Sequence, residues 1–289
     1  MKKRIDTINL FYVPALVLFA LFVIYPFFKG VYLSFTNWNG YSRSFKMTGL
    51  KNYVNLFKDK NVHRAFANTL VYGVGSTVIQ NALGVLLAVF LNKKFRGRSL
   101  VRTVIYLPVM IAPLIMGYVM YFFFNYNRGA INDVLKLFGA APVDWLASGN
   151  RAVFILTLVN SLQFVGISMV IYLAGLQNIP SMYYEAAEID GIGVKQRFFY
   201  ITLPLLMPAI TSSVTLNLIG GLKLFDVISA LTGGGPGYDT HSLSTLIHKY
   251  YFGGERAGYA SAIGLVFFVF IMFVSNIVVK ALQRRQVEL

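Results

Sequence analysis

The stretch EAAEIDGIGVKQRFFYITLP, residues 185–204, is the part of the chain that decides the fold. It carries charges of both signs and stands at the junction of two long runs without any charge, 152–184 and 198–222. Two bilayer-crossing helices need only a short turn between them. So long a polar joint indicates that another molecule binds this face of the protein.

The composition places most of the chain outside water. Of 289 residues 56% are hydrophobic and only 13% are charged, whereas a soluble domain carries about 25% charged residues. The absence of cysteine excludes a disulfide framework, a thiolate metal site and a thiol nucleophile. The net charge of +15 is scattered through the joints between apolar runs. This distribution favours contact with anionic lipid headgroups over nucleic-acid binding.

Six charge-free runs predict six transmembrane helices. A bilayer core needs about 20 apolar residues per helix, and backbone polar groups in lipid have to be satisfied within the helix. The charge-free runs are 7–28, 65–92, 103–127, 152–184, 198–222 and 257–279. We therefore predict an all-α polytopic membrane protein, one transmembrane domain over 1–289, with helices at about 9–29, 66–92, 101–125, 152–178, 204–230 and 258–282.

The distribution of basic residues predicts the orientation. Six crossings place the amino-terminal tail, the 92–102 turn, the 180–203 loop and the carboxy-terminal tail on one side. These segments hold 13 Lys and Arg in 54 residues, against 11 in 90 for the opposite segments. The richer side is expected to be cytoplasmic, with both termini inside. The first apolar run is too long for a cleavable signal peptide, so it is expected to remain as a helix.

Two short helices are predicted in the 180–203 loop. Ile179-Pro180 ends the preceding helix, because proline lacks an N–H and restricts the residue before it. Ser181 is a candidate cap for a helix from Met182 to Asp190, and Gly191 a candidate left-handed terminator. A second helix is expected from Val194 to Ile201, with Leu203-Pro204 marking the return to the membrane in a first turn.

The same loop offers a surface for a partner. Ala186 and Ala187 form a smooth patch that another protein can approach closely, and Phe198 and Phe199 are aromatic anchors beside charges. The other interpretation is an amphipathic loop helix that lies on the lipid headgroups.

Polar side chains within the predicted spans have two interpretations. Intramembrane polar residues face the bundle interior or a water-filled cavity, where they would line a path for a polar solute. Alternatively they make hydrogen bonds between helices. The candidates are Gln80, Asn81, Asn160, Gln163 and Asn217.

Asp226 is the one acidic residue in the predicted spans, and Lys223 precedes it by three positions. On one helix the two side chains share a face, which favours a local ion pair near the outer boundary, with Lys223 reaching towards the headgroups. Ligand contact is the alternative.

The sequence contains no recognisable enzyme site. The glycines of 233–237 lack the following Gly-Lys-Ser/Thr of a phosphate-binding loop and are predicted to form a turn. His63, His241 and His248 lack metal-ligand spacing and are expected to be solvated or interfacial. The acids Asp59, Asp133, Asp144, Asp239 and Glu255 are isolated in loops. Energy for active transport would then come from a separate ATPase.

The spacing EAA-x3-G-x9-I-x-LP resembles the cytoplasmic coupling loop of binding-protein-dependent ABC importer permeases. The resemblance implies a type I importer permease fold, similar to MetI, and a loop that seats in an ATPase subunit. It assigns ATPase coupling to Glu185, Ala186, Ala187, Asp190, Gly191, Ile201, Leu203 and Pro204.

Further segments are similar to the sugar-permease branch of that family, of the maltose and glycerol-3-phosphate type. They are TGLKNY at 48–53, GAINDVLKLFG at 129–139, the 225–237 stretch and GYASA at 258–262. Without added amino-terminal helices or a large external insertion, the sequence is closest to the compact, six-helix first permease subunit.

The resemblance implies a transport subunit that is not itself an enzyme. The expected partners are a second, non-identical permease, two cytoplasmic ATPases that bind ATP and Mg²⁺, and an extracellular solute-binding protein. A sugar or oligosaccharide would enter the cytoplasm of a bacterial cell by alternating access. No cofactor is expected in this chain. An ion-gradient-driven transporter would instead need paired intramembrane carboxylates, and a membrane enzyme would need clustered His and Asp.

Overall fold

The regular secondary structure is helical throughout the part of the chain that the structure describes. The computed structural model describes residues 12–286, where the one β-type contact is an isolated bridge between Thr36 and Met47. In chain order the helices are α1 (Tyr12–Ser34), α2 (Lys51–Leu56), α3 (Lys60–Asn92), α4 (Arg98–Met110), α5 (Pro113–Phe124), α6 (Ala130–Leu137), α7 (Gly149–Gln177), α8 (Met182–Ile189), α9 (Val194–Leu205), α10 (Met207–Leu222), α11 (Asp226–Leu231), α12 (Leu243–His248, continued by the π-helical segment Lys249–Gly253) and α13 (Ala257–Gln283).

Four of these helices, α1, α3, α7 and α13, are long and apolar enough to cross a membrane unbroken. Two bent pairs, α4 with α5 and α9 with α10, bring the number to the predicted six if each pair is one span. The predicted helices 152–178 and 258–282 differ from α7 and α13 by a few residues at most. Helix α1 continues beyond its predicted end, to Ser34, and α3 begins earlier than predicted, at Lys60. The start of the predicted helix 9–29 and both chain termini lie outside the described residues.

The third predicted helix, 101–125, is wrong as a continuous element. Helices α4 and α5 meet at an angle of 99°, and Ile111 and Ala112 between them have extended backbone. Pro108 and Pro113 flank this break, and each lacks the N–H that a continuous helix requires. The side-chain Nε2 of Gln163 donates to the released carbonyl of Ile111 at 3.0 Å.

The fifth predicted helix, 204–230, is wrong in the same way. Helices α9 and α10 bend by 69° at Leu206, between Pro204 and Pro208. The chain leaves helical conformation again after Leu222 and resumes it at Asp226. In a membrane, non-helical backbone of this kind is tolerated where it is buried in protein or lines a cavity.

The described residues form two compact units. The smaller consists of the chain up to Asp59 together with Ile247–Phe268. Within it, the Asp59 carboxylate accepts hydrogen bonds from the hydroxyls of Tyr250 (3.1 Å) and Tyr259 (2.9 Å). The larger comprises Lys60–Leu246 and the segment from Val269. One transmembrane domain over 1–289 stays a prediction.

Helix α7 is the centre of the larger unit and packs along α3 and α10. At Gly84 the backbone of α3 comes so close to α7 that a Cβ atom there would lie 2.5 Å from Ser168 Cβ. Small residues at such crossings let membrane helices approach and exchange hydrogen bonds. Asn217 of α10 donates to Ser168 Oγ at 2.6 Å across the neighbouring crossing.

The segment 129–139, which resembles the sugar permeases, contains the short amphipathic helix α6. Asn132 at its buried side donates to the carbonyls of Tyr126 and Val143 and accepts from Trp145 Nε1 at 2.9 Å. Leu137 and Phe138 are exposed, as expected for a helix at an interface.

The glycine-rich segment after α11 is a turn, as predicted, with positive φ at Gly233, Gly234 and Gly237. Asn68 of α3 donates to the carbonyls of Asp239 and His241 beyond the turn, and Arg64 pairs with Asp239 at 3.1 Å. The expectation that His241 is solvated or interfacial is wrong, because this ring is buried within the protein and its Nδ1 lies 2.9 Å from Thr245 Oγ1.

Candidate functional site

The 180–203 loop contains the first of two candidate sites. Helix α8 begins at Met182 just beyond Pro180 and ends before Gly191, whose φ is +70°. The Gly191 N–H donates to Glu188 O at 3.2 Å, and the Ile192 N–H donates to Ala187 O at 2.9 Å. This pairing is a Schellman motif, in which a left-handed residue turns the chain and satisfies the last carbonyls. The predicted terminator is confirmed.

The start of α8 differs from the prediction. Ser181 has right-handed helical φ and ψ, and its side chain makes no capping hydrogen bond. A residue in that conformation already belongs to the turn, so its hydroxyl is not directed at the free N–H groups. The Ser181 carbonyl instead accepts from the N–H groups of Tyr184 and Glu185 at 2.8 and 3.0 Å.

The two alanines of the motif lie on different faces of α8. Ala187 is 2% exposed, whereas Glu185, Ala186 and Asp190 are exposed. Consecutive helical residues are about 100° apart around the axis, so both cannot face the same way. The predicted patch of Ala186 with Ala187 is therefore wrong: Ala186 is free to meet a partner, and Ala187 packs inwards.

The second helix of the loop is longer than predicted. Instead of ending at Ile201, α9 runs from Val194 to Leu205 and includes a π-helical segment, Phe198–Thr202, directly before Leu203 and Pro204. A wider turn at this point is the ordinary response to a proline, whose ring and missing N–H interrupt the hydrogen-bond ladder. Pro204 lies at the start of the α-helical turn Leu203–Leu205, which follows the π-helical segment and precedes the bend at Leu206. Ile201, Leu203 and Pro204 are half-buried.

An ion pair that the sequence did not predict joins α8 to α9. Arg197 Nη1 donates to Glu188 Oε1 at 2.9 Å, and the guanidinium lies 5.8 Å from the centre of the Tyr184 ring. The residues are nine positions apart on two helices, so helical spacing gives no signal for the pair. The sequence shows only that residues of opposite charge, Glu188 and Arg197, occur in the same loop.

The root of the loop is fixed in an apolar cluster. Leu176, Ile179 and Leu206, at the points where the loop leaves and re-enters the bundle, are buried together with Leu91 and Tyr172. Because protein interiors are close-packed and resist compression, a displacement of the loop is passed to α3, α7 and α10.

The outer side of the loop is apolar at several points. Ile189 is 87% exposed, and Met182, Val194, Phe199 and Tyr200 are also exposed. Phe198 is half-buried and contacts Phe199 edge to face, with ring centres 5.2 Å apart. Phe199 is therefore the more accessible of the two predicted anchors. Exposed aromatic and apolar side chains of this kind are typical of a protein–protein interface.

The second candidate site is a cavity of about 300 Å³ inside the larger unit. Four of the candidate path residues line it: Gln80, Asn160, Asn217 and Asp226. The wall also includes the aromatic rings of Phe164 and Phe225 and the charged side chain of Lys223. The break between α10 and α11 forms one side, which explains why the chain is non-helical there.

The amide side chains of this cavity are largely buried. Gln80 is 1% exposed; its Nε2 donates to the Asn160 backbone carbonyl at 3.1 Å, and its Oε1 has no hydrogen-bond partner among the described residues. Asn217 is fixed by Ser168, as described above. The site thus offers neutral donors and acceptors, together with the charged side chains of Lys223 and Asp226, along an otherwise apolar wall.

The other two candidates lie elsewhere. Asn81 donates to the Thr77 carbonyl at 2.7 Å and accepts a short hydrogen bond from the Tyr172 hydroxyl. Gln163 holds the break after α4 through Ile111. Their contacts match the hydrogen-bonding interpretation of intramembrane polar residues.

The predicted ion pair between Lys223 and Asp226 is not present in residues 12–286. Lys223 caps α10 and Asp226 begins α11, so the two do not share a helix, and no Lys–Asp contact within 4.0 Å joins them. Both side chains are exposed and line the cavity.

The bent helices, the 180–203 loop and the internal cavity define a membrane permease of the importer class. The chain belongs to the family of binding-protein-dependent transport system inner membrane components, which matches residues 80–288. The resemblance found in the motif is thereby confirmed.

Known proteins are similar to the chain over almost its whole length. The multiple sugar-binding transport system permease protein MsmF of Streptococcus mutans is 35% identical over 96% of this chain and 95% of its own. The probable ABC transporter permease protein YurN of Bacillus subtilis is 37% identical over 94% of each chain.

A solved structure confirms the predicted fold class. A chain of a bacterial ABC transporter involved in the import of the acidic polysaccharide alginate superposes with a TM-score of 0.83 and 25% identity, covering 96% of this chain and 95% of that one. The fold is that of a type I importer permease.

Proposed function

We propose that the chain is a permease subunit that carries a sugar or oligosaccharide into the bacterial cytoplasm, powered by ATP hydrolysis in a partner. The observation that carries the proposal is the joint presence of a rigidly rooted, partner-accessible loop and an amide-lined cavity in one helical bundle. The substrate class is supported by two similar proteins, the multiple sugar-binding transport permease MsmF and the transporter that imports the polysaccharide alginate.

The partners follow from the same arrangement. The 180–203 loop seats on one of two cytoplasmic ATPase subunits, which bind ATP and Mg²⁺, while this chain binds neither. A second, non-identical permease completes the pathway, and an extracellular solute-binding protein delivers the sugar. Both termini lie in the cytoplasm, on the side of the basic 92–102 turn.

The cavity is suited to a polyhydroxylated solute. Its volume lies at the lower end of the range for small-molecule sites, about 300–1,000 Å³, so it accommodates one sugar unit at a time. The amides of Gln80, Asn160 and Asn217 offer hydrogen bonds to hydroxyls, and the rings of Phe164 and Phe225 offer apolar faces.

Transport then proceeds by alternating access. Closure of the ATPase pair displaces α8, the buried root of the loop passes the movement to the bundle, and the cavity opens outwards to receive the sugar. Hydrolysis returns the subunits to the inward-facing state. Glu185, Ala186, Asp190 and Gly191 act at the ATPase contact in this scheme, and Ala187 acts through its packing.

Reconstitution tests the energy source. The assembled transporter in liposomes is expected to accumulate sugar only with ATP on the ATPase side and binding protein on the other. Ionophores that abolish ion gradients should leave the initial rate unchanged. As a control, an ATPase partner disabled in its nucleotide site should abolish uptake.

The alternative is a transporter driven by an ion gradient. Asp226 is the one acid in the predicted spans and lines the cavity, which is the observation on its side. Uptake driven by an imposed proton or sodium gradient without ATP would establish this alternative and refute the proposal.

A further inference from the structure

A second cavity, of about 290 Å³, lies at the root of the 180–203 loop, between the end of α3 and the start of α9. Part of its wall is apolar and consists of Val89, Leu176, Val194 and Phe198. The rest of the wall is polar and includes Lys93, Tyr184, Arg197 and Thr202. Neither the sugar pathway nor the ATPase contact accounts for this space.

The charged side chains that line this cavity are all positive. Lys93 and Arg197 line it, and no carboxylate does. Arg197 is neutralised in part by Glu188 at 2.9 Å. No Asp or Glu oxygen among residues 12–286 lies within 4.0 Å of the Lys93 ammonium group. The exposed Lys93 thus brings to the edge of the cavity a positive charge that no carboxylate among the described residues pairs with.

Several hydrogen-bond donors converge on the same space. The hydroxyls of Tyr184 and Thr202 are 3.4 Å apart, and the Thr202 hydroxyl also lies 3.4 Å from the Arg197 carbonyl, which accepts from it. Both contacts are long, so a stronger acceptor would displace them. The Arg197 guanidinium has five N–H donors, and among the described residues it donates one hydrogen bond from its side chain, to Glu188. Together with Lys93, these groups match the oxygen atoms of a phosphate, the acceptor that Arg and Lys bind most readily.

We propose that this cavity binds the phosphate ester of an anionic phospholipid from the cytoplasmic leaflet. The phosphate lies between Lys93 and Arg197, and the apolar wall formed by Val89, Leu176 and Phe198 receives the start of an acyl chain. Basic pockets between membrane helices on the cytoplasmic side are suited to such headgroups. The proposal rests on the proposed cytoplasmic position of the 180–203 loop. A soluble phosphorylated metabolite shares the phosphate chemistry but leaves the apolar wall unused.

A bound lipid would link α3 to α9. Its phosphate bridges Lys93, just beyond the end of α3, to Arg197 in the first turn of α9. The link stabilises the root of the loop, so stimulation of the ATPase by the binding protein is expected to rise with the fraction of anionic lipid.

The test uses the assembled transporter in nanodiscs of phosphatidylcholine with increasing phosphatidylglycerol, and native mass spectrometry of retained lipid. Lys93→Gln is expected to weaken phosphatidylglycerol retention about fivefold, the effect of removing one basic residue near a charged headgroup. Lys94→Gln removes the same charge next to the cavity without lining it and should leave retention unchanged. Thermal unfolding midpoints establish that both variants are folded.

Equal losses in Lys93→Gln and Lys94→Gln, or no retained phosphatidylglycerol, would overturn the proposal. Displacement of the lipid by millimolar glycerol 1-phosphate or inorganic phosphate would also overturn it, in favour of a soluble ligand. Sugar uptake and ATPase assembly are measured on the same samples. Normal ATP-driven uptake without lipid retention refutes this inference alone, whereas a chain that fails to assemble with an ATPase refutes the proposed function.

Discussion

Arg197 and Glu188 form a 2.9 Å ion pair that joins the two helices of the 180–203 loop. Arg197 is 28% exposed and also lies over the Tyr184 ring, whereas Glu188 is 71% exposed. The pair therefore fixes the angle between α8 and α9 at the protein surface, where a partner would apply force. Its importance for stability is small, and its importance for coupling is expected to be larger.

Glu188→Gln is expected to change folding stability by less than about 1 kcal/mol, because exposed ion pairs contribute little. It should nevertheless lower the sugar imported per ATP hydrolysed, since the two helices are then free to move separately. The measurement is the ratio of uptake to hydrolysis in liposomes. Asp133→Asn, which breaks the exposed pair with Lys136 on α6, is the matched control and should leave the ratio intact. An unchanged ratio in Glu188→Gln would show that the pair has no part in coupling.

Gly191→Val is expected to uncouple hydrolysis from transport while leaving the helices assembled. A left-handed residue other than glycine costs roughly 1–2 kcal/mol, and a β-branched one is less well tolerated still. A Cβ at Gly191 meets nothing within 4 Å, so the cost comes from the backbone. Gly191→Asn should be milder, because asparagine adopts this conformation more readily.

Gly139 provides the control for Gly191. Its φ is +74°, and a Cβ there also meets nothing within 4 Å. The end of α6 has the same pair of backbone hydrogen bonds, from the Gly139 N–H to Lys136 O and from the Ala140 N–H to Leu135 O. Gly139→Val should therefore shift the thermal midpoint as much as Gly191→Val but leave the ratio of uptake to hydrolysis normal. If both substitutions uncouple equally, a general loss of stability is the cause.

Asn160→Leu is expected to raise the apparent KM for sugar about tenfold, equivalent to about 1.4 kcal/mol for one lost hydrogen bond. Asn160 lines the cavity that also contains Gln80 and Asn217, and its backbone carbonyl, which accepts from Gln80, is retained in the variant. Gln163→Leu, also on α7 but outside the cavity, is the comparison. Sugar titrations of uptake measure both. A larger increase in KM for Gln163→Leu than for Asn160→Leu would show that the sugar does not pass through this cavity.

Gly84→Ala is expected to destabilise the bundle by about 1–3 kcal/mol, the usual effect of overpacking. Its added Cβ would lie 2.5 Å from Ser168 Cβ and 3.2 Å from the Met169 nitrogen. Gly30→Ala on α1, where a Cβ meets nothing within 4 Å, should be neutral or slightly stabilising. Thermal unfolding of the assembled transporter compares them. Equal midpoints would mean that α3 and α7 separate at little cost.

The breaks in two spans show where prediction from apolar runs fails. A charge-free run predicts a crossing but not its straightness. Pro108 and Pro113 were a visible signal for the break after α4. The break at Lys223 has no proline, and its position depends on the cavity that it borders. Local propensity therefore explains the first break, and tertiary context is needed for the second.

The candidate sites divide in the same way. Gly191 was predicted as a terminator because its left-handed conformation is a local property of the backbone. The burial of Ala187, the pairing of Arg197 with Glu188 and the separation of Asn160 from Asn81 depend on which helix lies opposite. These features arise between segments of the chain that have no fixed spacing in the sequence.

The sequence by itself determined the membrane class, the existence of the crossings, the helix of the 180–203 loop and the family, because hydrophobicity, charge and backbone preference act within a few turns of chain. Only the tertiary structure decided the angles of the bent spans, the inward side of α8 and the residues that share a cavity. Those features depend on packing between segments that are distant in sequence. Neighbouring residues of a helix point about 100° apart, so one of them can face a partner protein while the next is buried in the core.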